Sequence, residues 1–252
     1  MYSNDNDMKN DDLVRIKRKF KLLNSKAYWG DDFDVRFYLI SRFSEIKNKN
    51  VLDVGGGIGI ISSELDKSNF SINFDLSYDD LGQCKNTFKN SINVMNGTMT
   101  NIALKDNSFD YVLCAHLLEV AKAIDIKNKN VIENKISIFP TVTKVLSEIR
   151  RVLKPNGTLF LTTPNNEYYN STKLTYDELK RHLEQSFSKF SLKLYNTYPR
   201  LHSQNRKLNM ANVLPKLMTK ISNREKIIQK SLIAKDDKNG TYSVSFFIEA
   251  TS

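Results

Sequence analysis

The residues most suited to chemistry lie in one short run, Val51-Leu52-Asp53-Val54-Gly55-Gly56-Gly57-Ile58-Gly59. Gly55, Gly56, Gly57 and Gly59 leave no side chains where a strand meets the next element, so a ligand can approach the backbone closely. Asp53 stands two residues before the first glycine, at the strand end. There a carboxylate can meet the ammonium of a nucleoside ligand with an amino-acid tail. The spacing does not fit a dinucleotide fingerprint. Counted from Gly55, the last glycine falls on Ile60; counted from Gly57, it falls on Ser62.

The elements around this run predict its position. An Asn50–Val54 strand enters the glycines, and a helix is expected to open over 60–65. Strands are expected over 70–74, 92–95, 109–114 and 158–163, with helices over 78–88 and 142–153. The turn Lys154-Pro155-Asn156-Gly157 stops the last of these helices. Strands alternating with helices at this spacing argue for parallel βαβ units in a doubly wound α/β sheet. Farther on, a helix is expected over 176–187 and strands over 190–198 and 241–250. Ahead of the run come a short amphipathic helix from Leu13 and a second helix over 34–46, burying Phe37, Ile40 and Phe43.

Composition narrows the field. Forty per cent apolar and ten per cent aromatic residues in a chain of 252 fit one globular α/β domain with appendages. No run of eighteen apolar residues occurs, and the polar start over 1–12 reads as loose and lacks the core of a targeting segment. Cys84 and Cys114 are too few for a disulfide framework or a zinc site, so they read as buried thiols in a reducing cytoplasm, and no metal is expected.

The net charge of +10 is concentrated. Between Arg200 and Lys238 stand ten basic and three acidic residues, and a second basic cluster comprises Arg15, Lys17, Arg18, Lys19 and Lys21. Two readings stand side by side: an acidic partner or membrane surface at one face, and a solvated surface in a Lys/Asn-rich chain. The expected organisation is a disordered 1–12 and a single domain over 13–252. Within it lie N-terminal helices over 13–48, a cofactor-binding core over 50–165, an irregular insertion over 121–141, a basic insertion over 199–240 and a final strand over 241–250.

The spacing Asp53-x-Gly55-x-Gly57-x-Gly59 resembles the first motif of class I S-adenosylmethionine-dependent methyltransferases, and later segments keep step. Asp75 ends the second strand, where that family places an acid on the ribose hydroxyls. Leu76 follows it against the adenine. Asn96-Gly97-Thr98-Met99, with Asp106 to Asp110, resembles the adenine pocket. Cys114-Ala115-His116-Leu117-Leu118-Glu119 resembles the stretch lining the transfer site, and Glu148 to Gly157 with Thr163-Pro164-Asn165 completes the likeness. It spans about Asn50 to Asn165.

The resemblance implies a seven-stranded, mostly parallel Rossmann-like sheet with an antiparallel last strand and helical insertions. It implies S-adenosylmethionine as cofactor, held by Asp53, the four glycines, Asp75, Leu76, Thr98, Met99, Cys114 and Ala115. Thr98 departs from the family, which often has an acid there; a hydroxyl accepts the adenine amino group more weakly. Val120 stands where a second histidine is common.

Several residues keep two readings. Asp75 could bind ribose or cap the helix at Tyr78. His116 could be the base that takes a proton from a hydroxyl acceptor, or a satisfied half-buried histidine. Tyr28 and Trp29 could wall the substrate mouth or simply pack. Glu119 could line that mouth or act as a structural acceptor.

The expected acceptor is a small molecule or lipid, anionic or amphiphilic, drawn by the basic 199–240 insertion acting as a cover. Thr163-Pro164-Asn165 is not the Asn/Asp-Pro-Pro-Tyr type associated with methylation of base amino groups, and no RNA-binding motif is present. Both make nucleic acid a lesser expectation. An RNA methyltransferase and a silent cofactor-binding protein of the same fold are the alternatives, a dehydrogenase a distant one. The sequence does not assign an oligomeric state.

Overall fold

The computed structural model describes residues 39–40, 42–43, 46–89, 91–131, 137–165, 173–199 and 241–252. The expected elements over 13–38 and the basic segment over 200–240 lie outside them, as do Tyr28 and Trp29.

Seven strands form one sheet: β1 (Asn50–Val54), β2 (Phe70–Asp75), β3 (Asn93–Asn96), β4 (Phe109–Ala115), β5 (Leu153–Pro164), β6 (Lys189–Pro199) and β7 (Thr241–Thr251). Their spatial order is β3-β2-β1-β4-β5-β7-β6. The pairs β1–β2, β1–β4, β2–β3 and β4–β5 are parallel, while β7 runs antiparallel to both β5 and β6. The expected mostly parallel sheet with a reversed last strand is therefore observed.

Alternation along the strands divides the core between the two faces of the sheet. Leu52, Val54, Val112, Cys114, Leu159 and Leu161 point to one face. Val51, Leu113, Phe160 and Phe247 point to the other, against Leu39, Ile40 and Phe43. Phe43 meets Phe160 edge to face with centroids 5.0 Å apart. Residues 39–40 and 42–43 are helical, which agrees with the apolar spacing there.

Four helices cover the described connections: α1 (Tyr78–Phe88), α2 (Leu118–Lys127), α3 (Pro140–Val152) and α4 (Tyr176–Ser186). Ser77 caps α1 by accepting the Asp80 N–H, and α4 opens with a capping box between Thr175 and Glu178. α3 begins with Pro140, whose missing N–H is not needed there. It lays Val142, Val145, Leu146, Ile149 and Val152 on the sheet at helical spacing, each worth about 1.5–3 kcal/mol of burial.

Three expectations need correction. The helix expected over 60–65 is only a 3-10 turn, Ser62–Glu64, because Leu65 is already extended and the turn after Asp66 leads directly into β2. The stretch from 121 is not irregular at its start, since α2 runs to Lys127. Its charges hid it, because Lys122 and Asp125 are buried rather than solvated. Finally, β5 starts at Leu153 and takes in the predicted turn. Asn156 sits there in a left-handed conformation, and the chain end at Ser252 pairs alongside, bonding to Asn156 and Gly157.

Lys122 donates to Glu178 Oε2 at 2.7 Å and to the Lys173 carbonyl at 2.8 Å, joining α2 to α4. Asp125 accepts the Thr141 N–H and hydroxyl at the start of α3. His182 of α4 accepts the Phe139 N–H at Nε2 and meets the Thr143 hydroxyl at Nδ1.

Burial holds the His182 imidazole neutral, with its pKa lowered to about 4. The unfolded chain binds that proton near the ordinary value of 6.5, so its stabilising effect is complete above 6.5. The effect is lost as the pH falls toward 4, a loss of up to about 3 kcal/mol. Urea unfolding between pH 7.5 and 4 should show this slope, and a His182→Asn variant should flatten it.

Candidate active site

The parallel strands leave β1 toward β2 on one side and toward β4 on the other, so a crevice opens between the carboxyl ends of β1 and β4. Asp53, Gly55, Gly56, Ile60, Ile61, Ala115 and His116 line it. Thus the glycine run and the stretch after β4, some sixty residues apart in sequence, form opposite walls of one cleft.

The glycines are needed where they stand. Gly55, Gly57 and Gly59 have φ of +73°, +52° and +74°. A Cβ on Gly56 would collide with the Asn73 amide oxygen and the Asp53 carboxylate, and one on Gly59 with the Cys84 sulfur. The turn therefore lies directly on the side chains below it. Asn73 supports it further, donating from Nδ2 to the Gly57 carbonyl at 2.8 Å.

Asp53 is 1% exposed. Its Oδ2 accepts the Ser62 hydroxyl at 2.7 Å, whereas Oδ1 has no hydrogen-bond partner. Burial, opposed by the Ser62 bond and aided by the nearby Asp75 charge, raises its pKa to about 6. An unpartnered carboxylate oxygen at the floor of a cleft carries a desolvation cost that a cationic ligand would remove.

Asp75 flanks the same turn. Its Oδ2 accepts the Gly57 N–H and its Oδ1 the Ser77 N–H, both at 2.8 Å. Ser77, rather than Asp75, is the side-chain cap of α1, though Asp75 braces it. Each carboxylate oxygen has two lone pairs, so one on each remains for a pair of hydroxyls.

Next to it in sequence Leu76 is 71% exposed, a bare apolar surface. Asn96 secures this edge by donating to the carbonyls of Asp75 and Leu76. Thr98 is exposed, its hydroxyl 3.1 Å from that of Thr100, and Met99 is half-buried against the main core. The loop that follows is fastened by Arg151, which donates to the Ile102 and Leu104 carbonyls and pairs with Asp106 and Glu148.

On the far wall Ala115 lines the cleft, but Cys114 does not. Alternation along β4 turns its thiol into the core, where it is fully buried and its pKa is pushed far up, first by burial. The expectation of Cys114 at the cofactor is corrected on that ground: its side chain faces away from the cleft.

His116 follows in a left-handed conformation, φ +57°, with its N–H on the Thr162 carbonyl at 2.8 Å. A histidine held there carries a backbone strain of about 1 kcal/mol. Its Nδ1 lies 3.4 Å from Glu119 Oε1. Glu119 Oε2 in turn accepts the Thr163 hydroxyl at 3.2 Å. Among the described residues no group of three His, Cys, Asp or Glu side chains converges as a metal site.

Sequence reasoning gave no individual role to Ser62, Asn73, Asn96 or Thr163, although Asn96 and Thr163 stand in segments quoted for the family likeness. Only Ser62 carried a local signal, its place in the first turn after the glycines; the others act across strands.

A doubly wound sheet with a glycine turn and an acid at its switch point defines a nucleoside-binding α/β domain. Residues 52–161 match the family described as Methyltransferase domain. An uncharacterized protein of Methanocaldococcus jannaschii is 29% identical over 147 residues, covering 56% of this chain and 55% of that protein. The chain thus spans about half the length of that curated relative.

Solved S-adenosylmethionine-dependent methyltransferases share the fold. The one from Archaeoglobus fulgidus is 16% identical with a TM-score of 0.53, over 92% of this chain and 100% of the other. That from Aquifex aeolicus is 17% identical with a TM-score of 0.51, over 72% and 91%. One from Methanosarcina mazei is 14% identical with a TM-score of 0.51, over 85% and 96%.

The cofactor of this domain class is S-adenosylmethionine, and the residues suit it. The unpartnered Asp53 oxygen complements an ammonium, and the remaining lone pairs of Asp75 complement a ribose diol. The glycine turn between them rests on Asn73 and Cys84, which only residues without a Cβ allow.

Proposed function

We propose that the chain transfers a methyl group from S-adenosylmethionine to a small-molecule or lipid acceptor with a nucleophilic hydroxyl, anionic or amphiphilic in character. The observation that carries the cofactor side of this reading is the buried carboxylate oxygen of Asp53, without a partner, at the foot of a glycine-lined cleft.

In this reading Asp53 holds the cofactor's ammonium, Asp75 its ribose, and Leu76, Thr98 and Met99 border its adenine. Bound there, the cofactor supplies a methyl group already activated on a sulfonium. The protein then has mainly to align the acceptor and exclude water. His116, on the opposite wall, takes the acceptor's proton.

The anionic acceptor is suggested by charge. β6 ends at Pro199 and β7 begins at Thr241, paired with each other beyond the point where β5 ends at Pro164. Pro199 and Thr241, which flank the basic 200–240 stretch of sequence, therefore lie at the carboxyl end of the parallel strands, where the cleft opens. No described helix is long and apolar enough to cross a membrane, so a lipid acceptor would be met at a surface.

The test is incubation with methyl-labelled cofactor and separated small-molecule, lipid and RNA pools. Label in the small-molecule or lipid pool is expected. Label in RNA would replace the acceptor class, and label in none would contradict the activity. His116→Ala should lower turnover by about 100-fold while leaving cofactor affinity within about twofold. Unchanged turnover would remove the histidine from the chemistry.

A further inference from the structure

We infer that Glu119 is a positioning residue that sets which ring nitrogen of His116 carries the proton, so that Nε2 is the base; this rests on the proposed function. His116 comes from the end of β4, Glu119 from the first turn of α2 and Thr163 from β5. The three meet as a chain: Thr163 Oγ1 donates to Glu119 Oε2 at 3.2 Å, and Glu119 Oε1 faces His116 Nδ1 at 3.4 Å. The side chains of His116 and Glu119 are 6% and 18% exposed, so water competes little for this contact.

A carboxylate offers only acceptors. A neutral imidazole that donates to it would carry its proton on Nδ1, which leaves Nε2 as the acceptor. Thr163 holds one oxygen of the carboxylate, and the backbone of His116 is anchored by its N–H on the Thr162 carbonyl.

The proton and electron balance follows. A lone pair of the acceptor oxygen forms the O–C bond, and the C–S pair returns to the sulfur of the sulfonium cofactor. The hydroxyl proton passes to Nε2, and the resulting imidazolium lies beside the Glu119 carboxylate, which stabilises it. Sequence reading had left Glu119 between a mouth-lining residue and a structural acceptor; its contacts give it a third role.

The experiment is nitrogen-15 NMR of the histidine rings in the full-length protein at pH 8, with the His116 signals identified by their loss in His116→Ala. The wild type should show a protonated Nδ1 and an unprotonated Nε2. Glu119→Gln should move His116 toward a mixture with proton on Nε2, and Thr163→Val should shift it part of the way. A wild-type His116 protonated on Nε2 overturns the inference, as does a pattern that both variants leave unchanged. If Glu119→Gln does not fold, Thr163→Val decides alone, and no change there overturns it. Calorimetry of S-adenosylmethionine with the wild type runs beside it: absent binding defeats the functional reading, whereas the ring pattern judges Glu119 separately.

Discussion

Asp53→Asn should weaken S-adenosylmethionine binding by about 100-fold, the effect of losing a charge-assisted hydrogen bond worth about 3 kcal/mol. The same change should not lower stability near neutral pH. Asp53 is buried, one oxygen has no partner, and its pKa is raised to about 6. A group whose folded pKa lies above its unfolded value favours the folded state below the unfolded pKa. That advantage is gone once the pH has risen through about 6. At pH 7.5 the ionised carboxylate is therefore a cost that asparagine does not carry. Urea unfolding and calorimetry on one preparation would check both directions. Affinity and stability lost together would instead mark Asp53 as a structural residue.

Lys122→Ala should destabilise the protein by about 3–5 kcal/mol, the range for removing one partner of a buried pair. The Lys122 side chain is 6% exposed, and its ammonium bonds Glu178 Oε2 and the Lys173 carbonyl. It also lies 4.4 Å from the centre of the Phe139 ring. Removal leaves the Glu178 carboxylate, 14% exposed, with only the Thr175 N–H of its capping box. The start of α2 carries Glu119, so loss of the α2–α4 tie should also loosen the far wall of the cleft. Thermal unfolding measures the first effect. A change below about 1 kcal/mol would mean that the pair behaves as an exposed one.

The parts of the site legible in the sequence were those whose reasons are local. The glycine turn, Asp53 before it and Asp75 at the next strand end each follow from one strand and its exit. The parallel, doubly wound sheet followed from alternation of elements, and the reversed last strand from the family resemblance. The illegible parts depended on tertiary contact. Cys114 and Ala115 are neighbours, and only the direction of β4 relative to its layers decides which one lines the cleft. The start of the 121–141 stretch read as irregular because the partners that bury Lys122 and Asp125, Glu178 and Thr141, lie on other helices. Asn73 read as an ordinary strand residue, yet it lies beneath Gly56 and braces Gly57 from β2. Glu119 acquired meaning only when β5 brought Thr163 beside it.

The most direct test of the account is calorimetric titration of the protein with S-adenosylmethionine from pH 8 to pH 5. One site per chain is predicted, with affinity falling about tenfold between pH 7 and pH 5 as the ligand must displace a proton from a group titrating near 6. The pH dependence should vanish in Asp53→Asn. Binding that is absent, or that is equally tight at both pH values and indifferent to Asp53→Asn, would contradict it.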